Sequence, residues 1–168
     1  MDFLVMLGFI IAVNWLCLTL VWLISLKIKD VGIVDIYWGI GFVIMAWACL
    51  LFNLQGNTSA ISQSQWLINI MVTIWGLRLS FHLAARNLGK EEDYRYAAMR
   101  KKSAGDFRII SYFRVFMLQG FLQILIILPV LAIHLYPSAF GLSIFHYCLL
   151  YTSPSPRDLS TSRMPSSA

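Results

Sequence analysis

Long apolar runs, separated by short polar segments, dominate the chain. A bilayer core of about 30 Å needs about 20 apolar residues in a helix, and residues 3–26, 31–54 and 112–136 meet that length without a break. A fourth run, residues 66–85, also qualifies although it carries Arg78 and His82. Since backbone groups in lipid must pair within a helix or a closed barrel, the pattern predicts an all-α, multi-pass transmembrane helix bundle with four complete spans. Residues 140–147 resemble the start of a fifth span that is truncated.

Composition agrees with a membrane protein, because 59% of the 168 residues are hydrophobic and only 12% are charged, about half the charged share of a soluble domain. The net charge of +5 is sorted by loop, so no nucleic-acid partner is expected. Cys17, Cys49 and Cys148 lie far apart in apolar runs and indicate neither a disulfide framework nor a metal site. We find no internal repeat and expect residues 1–147 to form a single domain.

Residues 148–168 differ from everything before them. They are rich in Ser and Pro and have no apolar period. The strings CLLYTSPSPRD and SRMPSSA resemble the translation of a sequencing-library adapter, and we interpret this stretch as a non-native, disordered tail. A disordered native tail is the alternative.

The basic residues alternate between loops. Lys27 and Lys29 lie in the loop of residues 27–30, the loop of residues 55–65 has no charge, and residues 86–108 hold seven basic residues. Because basic loops stay on the cytoplasmic side, we expect the N-terminus outside and the loops of residues 27–30 and 86–108 in the cytoplasm. Aromatic anchors are predicted at the span ends: Trp66, Tyr112 and Tyr136.

An ionisable residue within a span is a functional candidate by default, because burying its charge in lipid costs a few kcal/mol. Arg78 is the strongest case. Trp75, Arg78, His82 and Arg86 recur at three- and four-residue spacing, which aligns them on one helix face. This stripe predicts the wall of a cavity open to the cytoplasm. The alternative is that Arg78 snorkels or pairs with a carboxylate only to hold helices together.

Asp35 is the expected counter-ion of Arg78, since it lies near the cytoplasmic start of the second span. The neighbouring Tyr37 and Trp38 offer flat faces and polar edges to a planar ligand. Packing and anchoring are the alternative for both aromatics.

Other polar or small residues in the spans favour packing roles. Gly39 and Gly41 permit close helix approach, and Asn14 is expected to link two helices. We expect His134 to be an interfacial residue near the outer end.

The loop after the third span is rich in groups that bind phosphate. Arg86, Asn87, Lys90 and Arg95 supply arginine forks, an amide and an ammonium, which suit pyrophosphate, and tyrosines such as Tyr96 can cover a base. The alternative is a basic loop that only meets anionic lipid. The chain has no GxGxxG, P-loop or HExxH motif, so soluble-type nucleotide and zinc sites are excluded by motif.

Two stretches resemble a known family. DIYWGIGF in the second span and WGLRLSFHLAARNLGKEEDYRYAAMRKK from the third span into its loop resemble the bacterial-type membrane family related to steroid 5-alpha-reductases. That family is similar in architecture to the isoprenylcysteine carboxyl methyltransferases. The resemblance covers most of residues 30–130 and implies NADPH-dependent reduction of a carbonyl-conjugated double bond in a lipophilic substrate.

The resemblance also implies site residues. Cofactor contacts fall on Arg78, Arg86, Asn87 and Lys90, together with the DYRY-type signature of Asp93, Arg95 and Tyr96. We assign Asp35, Tyr37, Trp38, Trp75 and His82 to the substrate.

Two departures from the family limit this assignment. Trp75 stands where the steroid reductases have a carbonyl-binding Tyr, so we expect Tyr37, with Asp35 behind it, to polarise the carbonyl. The family's C-terminal half, with an Arg-His-Pro stretch, has no counterpart after Tyr147, and we expect the fragment to be inactive.

Two other functions stay open. One is methyl transfer from S-adenosylmethionine to a lipid or prenyl cysteine, as in the related architecture. The other is a non-catalytic membrane scaffold in which Arg78 and Asp35 form a structural pair.

Overall fold

The computed structural model describes residues 3–55, 61–87, 96 and 107–136. These residues form four long helices and no strand: α1 (Phe3–Ile28), α2 (Ile33–Gln55), α3 (Gln63–Asn87) and α4 (Phe107–Leu135). Each is long and apolar enough to cross a membrane, which confirms the all-α, multi-pass bundle. The predicted fifth run and the tail of residues 148–168 lie outside the described residues.

The helix limits are close to the predicted ones except at the start of α4. This helix begins at Phe107, five residues before the predicted position, because its first turn includes Arg108, which interrupts the apolar run but not the helix. Within α4, residues Tyr112–Met117 form a π-helical turn and Pro129 lies inside the following α-helical part. Both features disturb the regular backbone ladder of a helix.

A tight turn joins α1 to α2. Lys29 adopts a left-handed backbone conformation with φ of 63°, and the Asp30 amide then donates to the Ser25 carbonyl at 3.2 Å, which ends α1. The Gly32 amide donates to Asp30 Oδ1 at 2.8 Å. This side chain-to-backbone bond fixes the turn and sets where α2 starts.

Helix α2 lies at the centre of the bundle and packs on the other three helices. Its apolar window is 56% buried, against 17% for α3 at the edge. The core between α1, α2 and α4 contains Met6, Ile10, Phe42, Met45, Cys49, Ile127 and Leu131. A second cluster at the end of the bundle near the α1–α2 turn contains Leu18, Val34, Tyr37, Tyr96, Val115 and Phe116.

Glycine brings α2 and α3 into backbone contact. A Cβ atom on Gly39 would lie 2.2 Å from the Gly76 carbonyl oxygen, and one on Gly76 would lie 2.5 Å from the Gly39 oxygen. A Cβ on Gly41 would lie 2.6 Å from the Gln123 amide nitrogen of α4. The predicted close approach at Gly39 and Gly41 is therefore confirmed, and each glycine serves a different neighbouring helix.

Candidate functional site

A hollow of about 520 Å³ lies along the outer face of α3. Trp75, Arg78 and His82 are all exposed on this face, as their three- and four-residue spacing requires. The rest of the wall is mainly apolar; the full lining is Trp75, Arg78, Leu79, Phe81, His82 and Ala85. The hollow thus combines one guanidinium, one imidazole and one indole with apolar surface.

The hollow faces away from α2, contrary to the expected pairing of Arg78 with Asp35. Gly76 and Ser80 are buried against α2, where the Ser80 hydroxyl accepts a hydrogen bond from the Ile40 amide at 3.0 Å. Two residues after Gly76 the helix has turned by about 200°, so Arg78 points outward. In the described part of the chain Arg78 has no hydrogen-bond or ion-pair partner. The structural Arg78–Asp35 pair of the scaffold hypothesis is therefore not formed.

Asp35 instead contacts the loop after α3. Its Oδ1 accepts a hydrogen bond from the Tyr96 hydroxyl at 3.2 Å, and the Tyr96 ring is buried beside Val31 and Val34. Tyr96 thereby ties the loop to the first turn of α2. Lys90, Asp93 and Arg95, the other loop residues assigned to the cofactor, lie outside the described residues.

Tyr37 and Trp38 follow Asp35 but do not line the hollow. Tyr37 is buried in the cluster with Leu18 and Val115, on the side of α2 that faces α1 and α4. The Trp38 indole N–H donates to Gln119 Oε1 of α4, so its polar edge is already occupied. Only Trp75 and His82 of the substrate residues assigned from sequence lie in the hollow.

A row of aromatic rings nevertheless connects Trp38 to the hollow. The Trp38 and Phe42 ring centroids lie 5.4 Å apart, and those of Phe42 and Trp75 lie 5.6 Å apart, both pairs edge to face. Edge-to-face pairs are favourable because the positive ring edge meets the negative ring face. This contact holds the Trp75 ring at the end of the hollow that is farthest from Arg86.

The end of α3 carries the other residues assigned to the cofactor. Arg86 is exposed and its Nε donates to Asn87 Oδ1 at 3.1 Å. Arg86 lies two helical turns beyond Arg78 on the same face. The polar stripe therefore extends from the hollow to the end of the helix.

His134 is the centre of a buried polar cluster at the end of the bundle away from Arg86. The sequence did not predict this cluster. His134 is 2% exposed and lies inside the bundle near the end of α4, while its position relative to the membrane interface stays a prediction. The Asn69 amide lies 3.1 Å from His134 Nε2, and the Gln65 and Asn53 amides each donate to the His134 carbonyl at 3.0 Å. The sequence feature that could have indicated the cluster is the set of amide residues Asn53, Gln65 and Asn69, which lie near the ends of successive apolar runs.

Two further amides link helices at mid-depth. Asn14 of α1 donates to the Gly120 carbonyl at 3.1 Å, which confirms its predicted role, and Gln123 of α4 donates to the Trp38 carbonyl at 3.2 Å. The described residues include no cluster of three His, Cys, Asp or Glu side chains that could hold a metal ion. The polar groups inside the bundle thus hold the helices together, while Arg78 and His82 of α3 face outward.

Comparison with known proteins gives one family. The family described as "Protein of unknown function (DUF1295)" matches residues 21–148. No curated protein and no solved structure matches the chain. The matched stretch includes α2, α3 and α4, and with them the hollow.

Proposed function

We propose that this chain, which belongs to the DUF1295 family of proteins of unknown function, belongs to an NADPH-dependent membrane reductase. The substrate class is a lipophilic compound with a double bond conjugated to a carbonyl. Support comes from the resemblance of the DIYWGIGF and WGLRLSFHLAARNLGKEEDYRY stretches to the relatives of steroid 5-alpha-reductases.

The observation that carries the proposal is the hollow on α3. It places the unpartnered Arg78 and the exposed His82 on the stripe that leads to Arg86 and Asn87. A guanidinium fork binds phosphate oxygens in pairs, and an amide adds a further hydrogen bond. Arg78, Arg86 and Asn87, with Lys90, Asp93 and Arg95 of the loop, would hold the dinucleotide.

The protein's part in the reaction is to orient the reactants and to polarise the carbonyl, while the bound nicotinamide supplies the hydride. Tyr37 was the expected carbonyl donor, but it is buried on the other side of α2. The donors at the hollow are the Trp75 indole N–H and the His82 ring. We therefore assign carbonyl polarisation to one of these two side chains.

Membrane access fits a lipophilic substrate. The hollow opens sideways from the outer face of α3, a helix long and apolar enough to cross a membrane. With the basic loops in the cytoplasm, the end of α3 that carries Arg86 faces the aqueous phase that contains NADPH. Substrate and cofactor thus reach the hollow from different phases.

The proposal is tested by titrating NADPH, followed by its fluorescence, into the protein expressed from its complete natural reading frame in phosphatidylcholine nanodiscs. Loss of the guanidinium in Arg78→Ala should weaken binding about tenfold or more, the equivalent of one charge-assisted hydrogen bond. Arg114→Ala is the control, since Arg114 is also exposed but lies on α4 outside the hollow.

Other outcomes separate the remaining functions. Equal NADPH affinity of Arg78→Ala and wild type would remove Arg78 from the site. Stabilisation by S-adenosylmethionine but not by NADPH in a thermal shift would favour methyl transfer. No shift with either cofactor would favour the scaffold.

A further inference from the structure

The outer face of α3 carries two basic side chains within an otherwise apolar surface. Helix α3 is the least buried of the four described helices and has the lowest mean hydropathy, 1.4. Arg78 and His82 are exposed on it, and Arg78 has no partner within the described residues. A cation at this depth is unfavourable unless an anion or water accompanies it. An anion that binds Arg78 and His82 would therefore stabilise this face.

Arg78 lies within reach of the end of α3 that carries Arg86 and Asn87. Arg78 precedes Asn87, the last residue of α3, by nine residues, or roughly 13 Å at 1.5 Å per residue. A long arginine side chain snorkels toward the nearer membrane surface and shortens that distance. His82 lies one turn closer to the surface on the same side, so both groups reach toward one headgroup layer.

The hollow itself matches an acyl chain beside a phosphate. Trp75, Leu79, Phe81 and Ala85 provide most of its wall. Its volume, about 520 Å³, lies within the usual range for small-molecule sites, roughly 300–1,000 Å³. Arg78 and His82 lie between Trp75 and Ala85 along the helix, so a phosphate bound to these two groups leaves Trp75, and Leu79 beside Arg78, for an apolar acyl chain.

A second copy of the chain fits this face poorly. A two-fold contact between α3 helices would bring the two copies of Arg78 together, since such a contact uses the same patch on both subunits. The repulsion between like charges is strongest where water is excluded. Charge complementarity thus favours an anion over a copy of this chain.

We propose that the hollow on α3 binds one anionic phospholipid of the adjoining leaflet, with its phosphate on Arg78 and His82 and one acyl chain along Trp75 and Leu79. This goes beyond the proposed reductase function and does not depend on it. Because a dinucleotide presents the same phosphate chemistry to Arg78, the lipid occupies the hollow when the dinucleotide is absent.

Native mass spectrometry of the 168-residue chain, released from nanodiscs of equal parts phosphatidylglycerol and phosphatidylcholine, tests the proposal. Wild type should retain one phosphatidylglycerol in preference to phosphatidylcholine. Arg78→Gln should retain it about tenfold less, because one charge-assisted phosphate contact is lost, and His82→Gln should lose part of the preference. Arg114→Gln, which removes an exposed charge outside the hollow, should behave as wild type.

Four results would overturn the proposal. They are equal retention of both lipids by wild type, equal losses in Arg78→Gln and Arg114→Gln, release of the lipid by equimolar inorganic phosphate, and a co-purified membrane protein on this face in place of lipid. An unchanged melting temperature shows that a variant is folded. If Arg78→Gln does not fold, the lipid retention of His82→Gln tests the proposal instead. NADPH titration in nanodiscs of pure phosphatidylcholine, where no anionic lipid is present, tests the reductase proposal independently of the lipid proposal.

Discussion

Amide side chains connect the helices without breaking any helix ladder. A carbonyl in the middle of a helix already accepts one backbone hydrogen bond but has a second lone pair, and Asn14 and Gln123 each donate to such a carbonyl, on Gly120 and Trp38. Asn53 and Gln65 both donate to the His134 carbonyl in the last turn of α4, where carbonyls lack an intrahelical partner. The geometry also fixes which way each amide points, because its NH₂ group must face the carbonyl. Among the described residues, three side-chain oxygens are left buried without a donor, those of Asn14, Asn69 and Gln123. Specific helix contacts are thus obtained at some cost in unpaired acceptors.

The histidine cluster gives a prediction at this scale. His134→Phe keeps a flat aromatic side chain but removes Nε2, which faces the Asn69 amide at 3.1 Å, and Nδ1, which lies 3.4 Å from the Asn53 amide. The free energy of unfolding should fall by about 1–3 kcal/mol, because a buried polar group loses its partner. Thermal or SDS unfolding of the purified protein measures the change.

The same substitution at an exposed histidine is the control. His82→Phe on the outer face of α3 removes no hydrogen bond within the described residues and should change the stability by less than about 0.5 kcal/mol. Equal losses for the two variants would show that the cluster around His134 adds nothing to stability.

Two glycines set the geometry of the α2–α3 pair. The carbonyl oxygens of Gly39 and Gly76 occupy the space that a Cβ atom on the other glycine would need. Backbone atoms, unlike the end of a flexible side chain, move only if the whole helix moves. Close contact here compensates for the absence of a hydrophobic driving force between helices in lipid.

Gly76→Ala should therefore separate α2 from α3. The added methyl group meets the Gly39 oxygen at 2.5 Å and Val43 at 2.8 Å, and overpacking of this kind costs about 1–3 kcal/mol. Gly8→Ala is the matched control, since nothing lies within 4 Å of a Cβ there and alanine favours a helix by roughly 0.5–1 kcal/mol over glycine. Unfolding measurements should give opposite signs for the two variants, and a neutral Gly76→Ala would contradict the close crossing.

The sequence predicted the helices better than their rotation. Apolar length fixed the four spans, and the spacing of Trp75, Arg78 and His82 identified one face of α3. That face was expected to meet α2, since a cation in a span usually faces protein. The deciding residues were Gly76 and Ser80 on the other side, whose small side chains allow the closest packing. Because most of α3 is apolar all round, periodicity alone could not show which side would pack.

At the scale of the whole molecule, the two ends of the bundle have different chemistry. One end has the neutral amide cluster of Asn53, Gln65 and Asn69 around His134. The other end has Lys27, Lys29, Arg86 and Arg108 beside the α1–α2 turn and the limits of α3 and α4. The sequence showed the basic end through its loops. It did not show the amide cluster, because residues from α2, α3 and α4 meet there only in the folded bundle.

This asymmetry gives the last prediction, the orientation of the chain in the membrane. Basic loops resist transfer across the membrane, so the end with Arg86 should be cytoplasmic and the amide cluster should face outward. Single cysteines report this directly once Cys17, Cys49 and Cys148 are replaced by Ser. Gln63→Cys uses an exposed position at the start of α3, and Ser103→Cys lies in the basic loop. In intact cells with an accessible inner membrane, a membrane-impermeant maleimide should label Gln63→Cys alone, and after permeabilisation it should label both. The reverse pattern would place Arg78 and the hollow nearer the outer leaflet, beyond the reach of cytoplasmic NADPH, and would remove the basis of the reductase proposal while leaving the lipid site intact.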